Sequence, residues 1–434
     1  MKKVLIICPH FPPVNAADMH RVRQSLPYFR EFGWMPVVLT VEEQFIEAYS
    51  TDPLLLKTVP EDIEIHKVRA WKVDRTRKLG LGSLGMRAYF QMQKKGDDLL
   101  ANGQFDLIYF STTAFHLMAL GPRWKRKFGV PFILDIQDPW RNDFYLDKPA
   151  SERPPKFFIA YNIDKFLEAR TVPAADGIIS VSKGYCDTFA SRYPSFKTDK
   201  CLVLPFGAAT IDFEIMQKYV SSSPAVSLPA DKINMVYIGR GGHDMRFALE
   251  IIFRAFAVGL QSDPALFSRI HLWFIGTSYA LAGAGMQTMA PIAKEQGVDA
   301  HVTELPDRVS YFETLFLLRK ANILLVPGST DPQYTASKIY PYILAEKPLL
   351  AVFHQQSSVL KVLSDIGYGK TVAFDNCHER MDEYVKECLN HLRALASGDN
   401  SMQLDREAFK PYTAKTRTIE QVNFFNEITA TYES

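Results

Sequence analysis

The sequence predicts an α/β protein built from two Rossmann-like, doubly wound parallel-sheet domains. Three observations predict it. The chain has 434 residues, more than the roughly 100 to 200 usual for one domain. Short runs apolar on both faces alternate with helical patterns, as expected for parallel strands buried on both sides. That alternation stops once and then restarts. In order, the first series places strands at residues 4–8, 35–41, 107–111, 132–136, 177–181 and 202–204. Helices are predicted over 18–32, closed by Gly33, and 115–128, closed by Gly129. The turn formers Ser221-Ser222-Ser223-Pro224, with Pro229 soon after, interrupt the pattern. They divide a first domain, 1–220, from a second, 233–414, through a linker at 221–232. Strands of the second series fall at 235–238, 271–275, 301–304, 323–326, 349–353 and 371–374. Residues 415–434 read as a closing helix.

Composition narrows the function classes. Hydrophobic residues make up 47% and charged residues 23%, an ordinary globular balance. Lys plus Arg total 50 against 48 acidic residues, so nucleic acid is not expected as a partner. The five cysteines, Cys8, Cys186, Cys201, Cys377 and Cys388, are scattered and lack metal-ligand spacing, which argues for a reducing, cytoplasmic compartment over a disulfide frame. Met1-Lys2-Lys3 precedes an apolar run that ends at Pro9, too short for a signal peptide and read as the first strand. No apolar run approaches the roughly 20 residues that span a bilayer.

Ligands of doubly wound sheets bind beyond the carboxyl ends of the strands, so the loops there carry the information. Cys8-Pro9-His10-Phe11-Pro12-Pro13, a helix from about Asp18, and Gly33 before a second strand resemble the opening of glycosyltransferase family 4, a GT-B fold group. Later segments keep the family order: Asp106-Leu107-Ile108-Tyr109 before Ser111-Thr112-Thr113, Leu134-Asp135-Ile136-Gln137-Asp138-Pro139-Trp140, Ile179-Ser180-Val181-Ser182, and Val236-Tyr237-Ile238-Gly239-Arg240. Ser337 to Leu350 is similar to the nucleotide-sugar segment of that family. The resemblance spans nearly the whole chain. It implies GT-B architecture with an interdomain cleft, a nucleotide diphosphate sugar as co-substrate, and a final helix crossing back onto the first domain. Two departures stand out. The family's two glutamates, with seven residues between them, align with Gln333 and Pro341, and its paired glycines align with Ala16-Ala17.

The chemistry names the candidates. A departing diphosphate needs cations and N–H donors. Arg240 follows a strand, Gly239, Gly241 and Gly242 permit close backbone approach, and Arg246 stands near the next helix start, where anions are favoured. The alternative is an ordinary strand-to-helix turn. Lys338 follows Thr335 and Ser337, whose hydroxyls can cap a helix; its alternative is a solvated lysine. Asp331 and Gln333 are the replacements for the missing carboxylates. By resemblance the base rests on Leu305 and Pro306 with Gly276 beside them; core packing and a simple turn are the alternatives. On the acceptor side, resemblance implies His116, with Asp138 and Trp140 after another strand and Asp18, His20 and Arg21 at the first helix. A structural histidine and a capped, solvated helix start are the bland readings.

With Arg240, Lys338 and His116 as catalytic candidates, the expected activity is metal-independent, retaining hexosyl transfer, with the leaving diphosphate helping to take the acceptor proton. The acceptor would be a polysaccharide, glycan or lipid-linked molecule. A nucleotide-sugar epimerase of the same fold, or a non-catalytic GT-B protein without the donor glutamates, are the alternatives. Residues 67–95 mix Arg69, Lys72, Arg75, Arg77, Lys78, Arg87 and Lys94 with Trp71, Leu79, Leu81, Leu84, Tyr89 and Phe90, and Arg123-Trp124-Lys125-Arg126-Lys127 extends the run. Such a mixture suits peripheral contact with an anionic membrane on its cytoplasmic face. A solvated helix face plus a loop fits it as well.

Overall fold

A computed structural model of the chain describes all residues except 48, 77–81, 147, 150–151, 155, 281–282, 333–337, 399–401 and 434. It divides into two compact units, Met1–Gly207 with Ala414–Ser434, and Ala208–Thr413. The turn-rich stretch 221–232 therefore lies inside the second unit and not at a boundary. The preceding helix, Thr210–Tyr219, buries Phe213, Ile215 and Met216 and packs on the helix Tyr311–Lys320. Tyr311 donates to Asp212 at 2.6 Å across that contact.

The first unit holds seven parallel strands: β1 Lys2–Ile7, β2 Trp34–Val41, β3 Glu64–Val68, β4 Leu107–Ser111, β5 Phe132–Ile136, β6 Gly177–Ser180 and β7 Cys201–Val203. Their order is β3-β2-β1-β4-β5-β6-β7. The central strands β1, β4 and β5 are almost wholly buried, which is why their sequences read as unbroken apolar runs. Strand β3 escaped the sequence pattern because it is an edge strand and only Val68 is buried. The first helix, α1 Met19–Ser25, is shorter than the predicted 18–32, since Pro27 has no N–H to continue the helical hydrogen-bond ladder. The predicted 115–128 helix splits into a tight turn, Phe115–Ala119, and a second helix, α2 Leu120–Phe128. Pro122 explains the split: it lacks an N–H and fits only the first turn.

The final helix, Ala414–Glu433, belongs to the first unit. Its Phe425 is fully buried against Phe29, Trp34 and Tyr109, with ring centroids 5.1 to 6.0 Å apart. Trp34 donates to Asn426 at 3.1 Å and Ser25 to Gln421 at 2.9 Å. Gly177 admits Phe424, whose ring would lie 2.8 Å from an added Cβ.

Cys186 and Cys201 form a disulfide, which corrects the expectation that no cysteines pair. They lie on the helix Lys183–Arg192 and on β7, and the chain returns to bring their Cα atoms within 6.2 Å. Spacing alone does not reveal that return.

The second unit holds six parallel strands: β8 Ile233–Ile238, β9 Ile270–Ile275, β10 Val302–Leu305, β11 Ile323–Pro327, β12 Leu349–His354 and β13 Lys370–Phe374. Their order is β10-β9-β8-β11-β12-β13. Among the described residues no helix is long and apolar enough to cross a membrane.

Candidate functional site

Strand order reverses between β8 and β11 in the second unit and between β1 and β4 in the first. A crevice opens beyond the carboxyl ends of the strands at such a reversal, where ligands of this sheet class bind. Each unit thus has one switch point, and its loops hold most of the predicted residues.

In the second unit the loop after β8 carries Gly239 to Asp244. Arg240 forms a two-pronged ion pair with Asp244, at 2.9 and 2.6 Å. That hydrogen-bonded pair is the largest influence holding the Asp244 carboxyl below its usual range. The loop after β11 is tied in through Thr330 N, which donates to the Asp244 carbonyl at 2.8 Å. Lys338 caps the short helix Ile339–Leu344, and its buried Nζ has no hydrogen-bond partner among the described residues. Burial pushes its pKa down to about 7, aided by the positive charges of Arg308 and Arg240. A Cβ on Gly239 would lie 3.0 Å from this Nζ and 2.6 Å from the Tyr237 hydroxyl, so only glycine leaves the ammonium its place. Pro341 falls in the first turn of the same helix, where a missing N–H is harmless.

The neighbouring loops are tightly built. Gly276, at φ +70°, takes a left-handed turn that other residues rarely adopt, and its N–H donates to the Leu305 carbonyl at 2.8 Å. Ser278 N donates likewise to the Pro306 carbonyl at 3.0 Å. Buried Glu304 accepts from Thr277, Thr288, Met289 and Ala290, capping the helix Ala290–Glu295. Gly241 is pressed on Thr288, whose Oγ1 would lie 2.3 Å from an added Cβ; its close approach serves this loop and not a ligand.

In the first unit, Asp18 accepts from Thr113 N at 2.9 Å and from the Thr112 and Thr113 hydroxyls, with His10 Nδ1 at 2.8 Å. Burial alone would raise this carboxyl; the His10 charge and these bonds outweigh it and leave it lowered. Asp135, fully buried, lies 2.9 Å from Arg21 Nε and accepts from Ser111 and Gln137, both at 2.7 Å. Trp140 stacks on Phe115, and its indole N–H donates to Asp164 at 3.3 Å. Burial raises Asp164 to about 6 and lowers His116, 3.7 Å away, to about 4. Asp138 reaches solvent, yet the surrounding protein and then the Asp18 charge raise its carboxyl.

The structure thus gathers Gly239, Arg240, Gly242 and Lys338 at one switch point and Asp18, His116 and Asp138 beside the other. Besides Gly241, four expectations are corrected. Arg246 does not face the loops as a phosphate ligand: its guanidinium is held by Glu250 and Glu295. Arg21 is buried and donates to the Leu204 and Pro205 carbonyls besides pairing with Asp135, which leaves no edge for an acceptor. His20 accepts from Arg23; burial and then the Arg23 charge hold it neutral. Trp140 is a buried wall. Asp331 lies in the β11 loop with its N–H donating to Ser329 at 3.0 Å. Gln333, Thr335 and Ser337 lie outside the described residues. Sequence reasoning missed Arg308, two residues beyond Pro306 and stacked over Tyr279 at 4.0 Å, and Asp164. A cavity of about 410 Å³ opens at the amino ends of β8 and β11, lined by Lys232, Asn234, Lys320 and Asn322. It is at the opposite strand ends from Arg240. Among the described residues no three His, Cys, Asp or Glu side chains cluster as a metal site would require.

No protein-family model matches the sequence, and no curated protein matches it. Solved structures do. Anabaena HepE, solved in complex with UDP-glucose, superposes over 100% of both chains at 14% identity with a TM-score of 0.53. A UDP-forming trehalose-phosphate synthase from Burkholderia xenovorans matches over 99% of both chains at 12% identity and a TM-score of 0.57. WaaG, a glycosyltransferase of lipopolysaccharide biosynthesis, matches over 94% of this chain and 99% of its own, at 13% and 0.51. The chain has the GT-B fold. At these identities the likeness concerns architecture, so the GT-B frame fixes where the switch points lie and leaves the chemistry to the side chains.

Proposed function

We propose that the protein is a retaining, metal-independent glycosyltransferase similar to family 4, moving a hexose from a nucleotide diphosphate sugar to a polysaccharide, glycan or lipid-linked acceptor. The observation that carries this reading is the buried ammonium of Lys338, unpartnered among the described residues, beside Arg240 and Arg308. A buried cation surrounded by like charge is costly unless an anion joins it. A diphosphate is the anion that the fold's switch point accommodates, and the matched structures include a UDP-glucose complex of HepE.

In this reading Lys338 donates to the diphosphate as the glycosidic bond breaks and charge grows on the leaving group. Arg308 flanks it, and Arg240 reaches it by exchanging part of its hold on Asp244. The departing phosphate oxygen takes the acceptor's proton, so no protein nucleophile is needed. Asp138 and His116 would orient the acceptor, His116 in its neutral form. The working place in this reading is a membrane face when the acceptor is lipid-linked; the Cys186–Cys201 disulfide removes the cysteine argument for a reducing, cytoplasmic compartment.

The test is a thermal-shift panel of uridine, guanosine, thymidine, adenosine and cytidine diphosphates and their sugar conjugates, since a ligand of the folded state stabilises it. One nucleotide should raise the melting temperature in the wild type and not in Lys338→Ala. No shift up to millimolar concentration would favour the second reading, a non-catalytic GT-B protein. Pro341, which offers no carboxylate where the family has one, is what keeps that reading in play. Donor turnover without acceptor would instead indicate an epimerase.

A further inference from the structure

Part of the basic surface expected from residues 67–95 and its extension is taken up within the fold, while Arg69, Trp71, Lys72, Arg75, Phe90 and Lys94 stay exposed. Arg87 is buried and bonded to Glu47 and to the Trp71 and Phe45 carbonyls. Arg123 and Lys127 both pair with Asp97, and Lys125 with Asp176. Residues 77–81 lie outside the described ones. A second element of the first unit combines the same properties on one helix.

The helix Phe157–Thr171 is turned inside out. Its inner side is polar: Tyr161 donates to Asp143, Asp164 accepts from Trp140, and fully buried Glu168 accepts from Arg141 N, Arg192 and Tyr193. Its outer side exposes Phe158 (54%), Ile159 (64%), Ile163 (37%) and Phe166 (52%). Ile159, Ile163 and Phe166, spaced by four and three residues, share one face, with Phe158 at its edge. Soluble surfaces scatter large apolar groups; here four line a single helix. Four cations frame them. Arg153 lies over the Phe158 ring at 5.0 Å and Arg170 over Phe166 at 3.9 Å, and Lys156 and Lys165 are exposed on the same helix and its entry. Glu152 is the nearest exposed acid in sequence.

We propose that this face docks the first unit on an anionic lipid surface. The aromatic and aliphatic groups enter the headgroup boundary and the framing cations meet lipid phosphates. Charge favours lipid over a second copy: the groups framing the patch are four cations against one exposed acid, Glu152, so an anionic headgroup layer answers them better than a copy carrying the same cations does. Asp164, beside His116, sits on the inner side of this helix, which would set a lipid-linked acceptor next to the acceptor residues. That last clause rests on the proposed activity; docking does not.

The experiment is sedimentation of the full chain with phosphatidylcholine vesicles with and without phosphatidylglycerol, at low and high salt. Two double variants accompany it, Phe158→Ser with Phe166→Ser, and Lys165→Glu with Arg170→Glu. The wild type should bind only the anionic vesicles, and less at high salt, and each double variant should bind about tenfold less. Because all four positions are exposed, both variants should keep the wild-type melting temperature and any nucleotide-induced shift, so loss of docking is distinguishable from loss of the donor site. Were the aromatic pair to disturb folding, the charge pair still decides. Equal binding of wild type and both variants, no binding by the wild type, or a concentration-dependent dimer that the serine variants abolish would each overturn the proposal.

Discussion

The two switch points are built from the same kind of parts and finish in opposite states. In the first unit the buried carboxylates are answered within the fold: Asp18 by His10 and Thr113, Asp135 by Arg21, Ser111 and Gln137, while Asp138 reaches solvent. In the second, Arg240 and Arg246 are answered by carboxylates, while no described residue answers Lys338. A closed network of buried charges rigidifies loops; a buried cation left open is a destabilising feature that a ligand can remedy. The contrast fits scaffolding at the first crevice's floor and, under the proposed function, anion recognition at the second's.

The largest expected effect breaks the closed network. Asp135→Ala strands the Arg21 guanidinium in a site with 3% exposure and should lower stability by about 3–5 kcal/mol in chemical denaturation. A nucleotide-induced shift should remain, since Asp135 lies in the other unit. A loss below about 1 kcal/mol would mean that Arg21 reaches water or another partner, and the contrast would fail on its first side.

Opening the other side runs the opposite way. Lys338→Met removes a cation that the fold holds at a penalty, so the ligand-free protein should melt several degrees higher. Turnover should fall about 10²-fold and the nucleotide shift should vanish. Lower stability with binding retained would show that Lys338 is a structural group.

The two sites should also titrate in different windows. The Asp18 carboxyl is lowered on folding, so its stabilising contribution is present above the usual 3.8 and is lost as pH falls below it. Lys338 is lowered to about 7 from 10.5, so between those values the unfolded chain binds more protons and the ligand-free protein gains stability as pH rises. A diphosphate needs the charged lysine, so nucleotide affinity should weaken above pH 7, by up to about tenfold per pH unit while the bound lysine stays protonated. Titration calorimetry across pH 6 to about 9 reads this directly. A flat profile would separate Lys338 from the ligand.

What the sequence revealed follows from where the physics is local. Buried parallel strands announce themselves as apolar runs, so both sheets were legible; β3 was not, because only Val68 is covered. Lys338 could be named from its segment. The partners of charged groups could not: Arg21 meets Asp135 over 114 residues of chain, and Arg246 meets Glu295 over 49, so both read as helix-start charges free for a ligand. Arg308 went unnoticed because an arginine in a loop ordinarily reads as solvated, and only the converging strand ends bring its charge to Lys338. The inverted helix Phe157–Thr171 was silent for a related reason, since a pattern of alternating faces does not say which face is inside.

The smallest expected effect therefore makes the sharpest control. Arg246→Ala removes a half-exposed guanidinium whose charge is already shared by Glu250 and Glu295. Surface ion pairs of this kind contribute about 0–1 kcal/mol, so the melting temperature should move little. Binding should barely change either, because the neutralised arginine presents no net field that a diphosphate could use, unlike Lys338 a few residues from the β11 loop. A nucleotide shift abolished by Arg246→Ala would mean that ligand binding draws Arg246 away from its carboxylates. The anion site would then extend along the helix Arg246–Ser262, and the second switch point would be a network that opens rather than one cation held open.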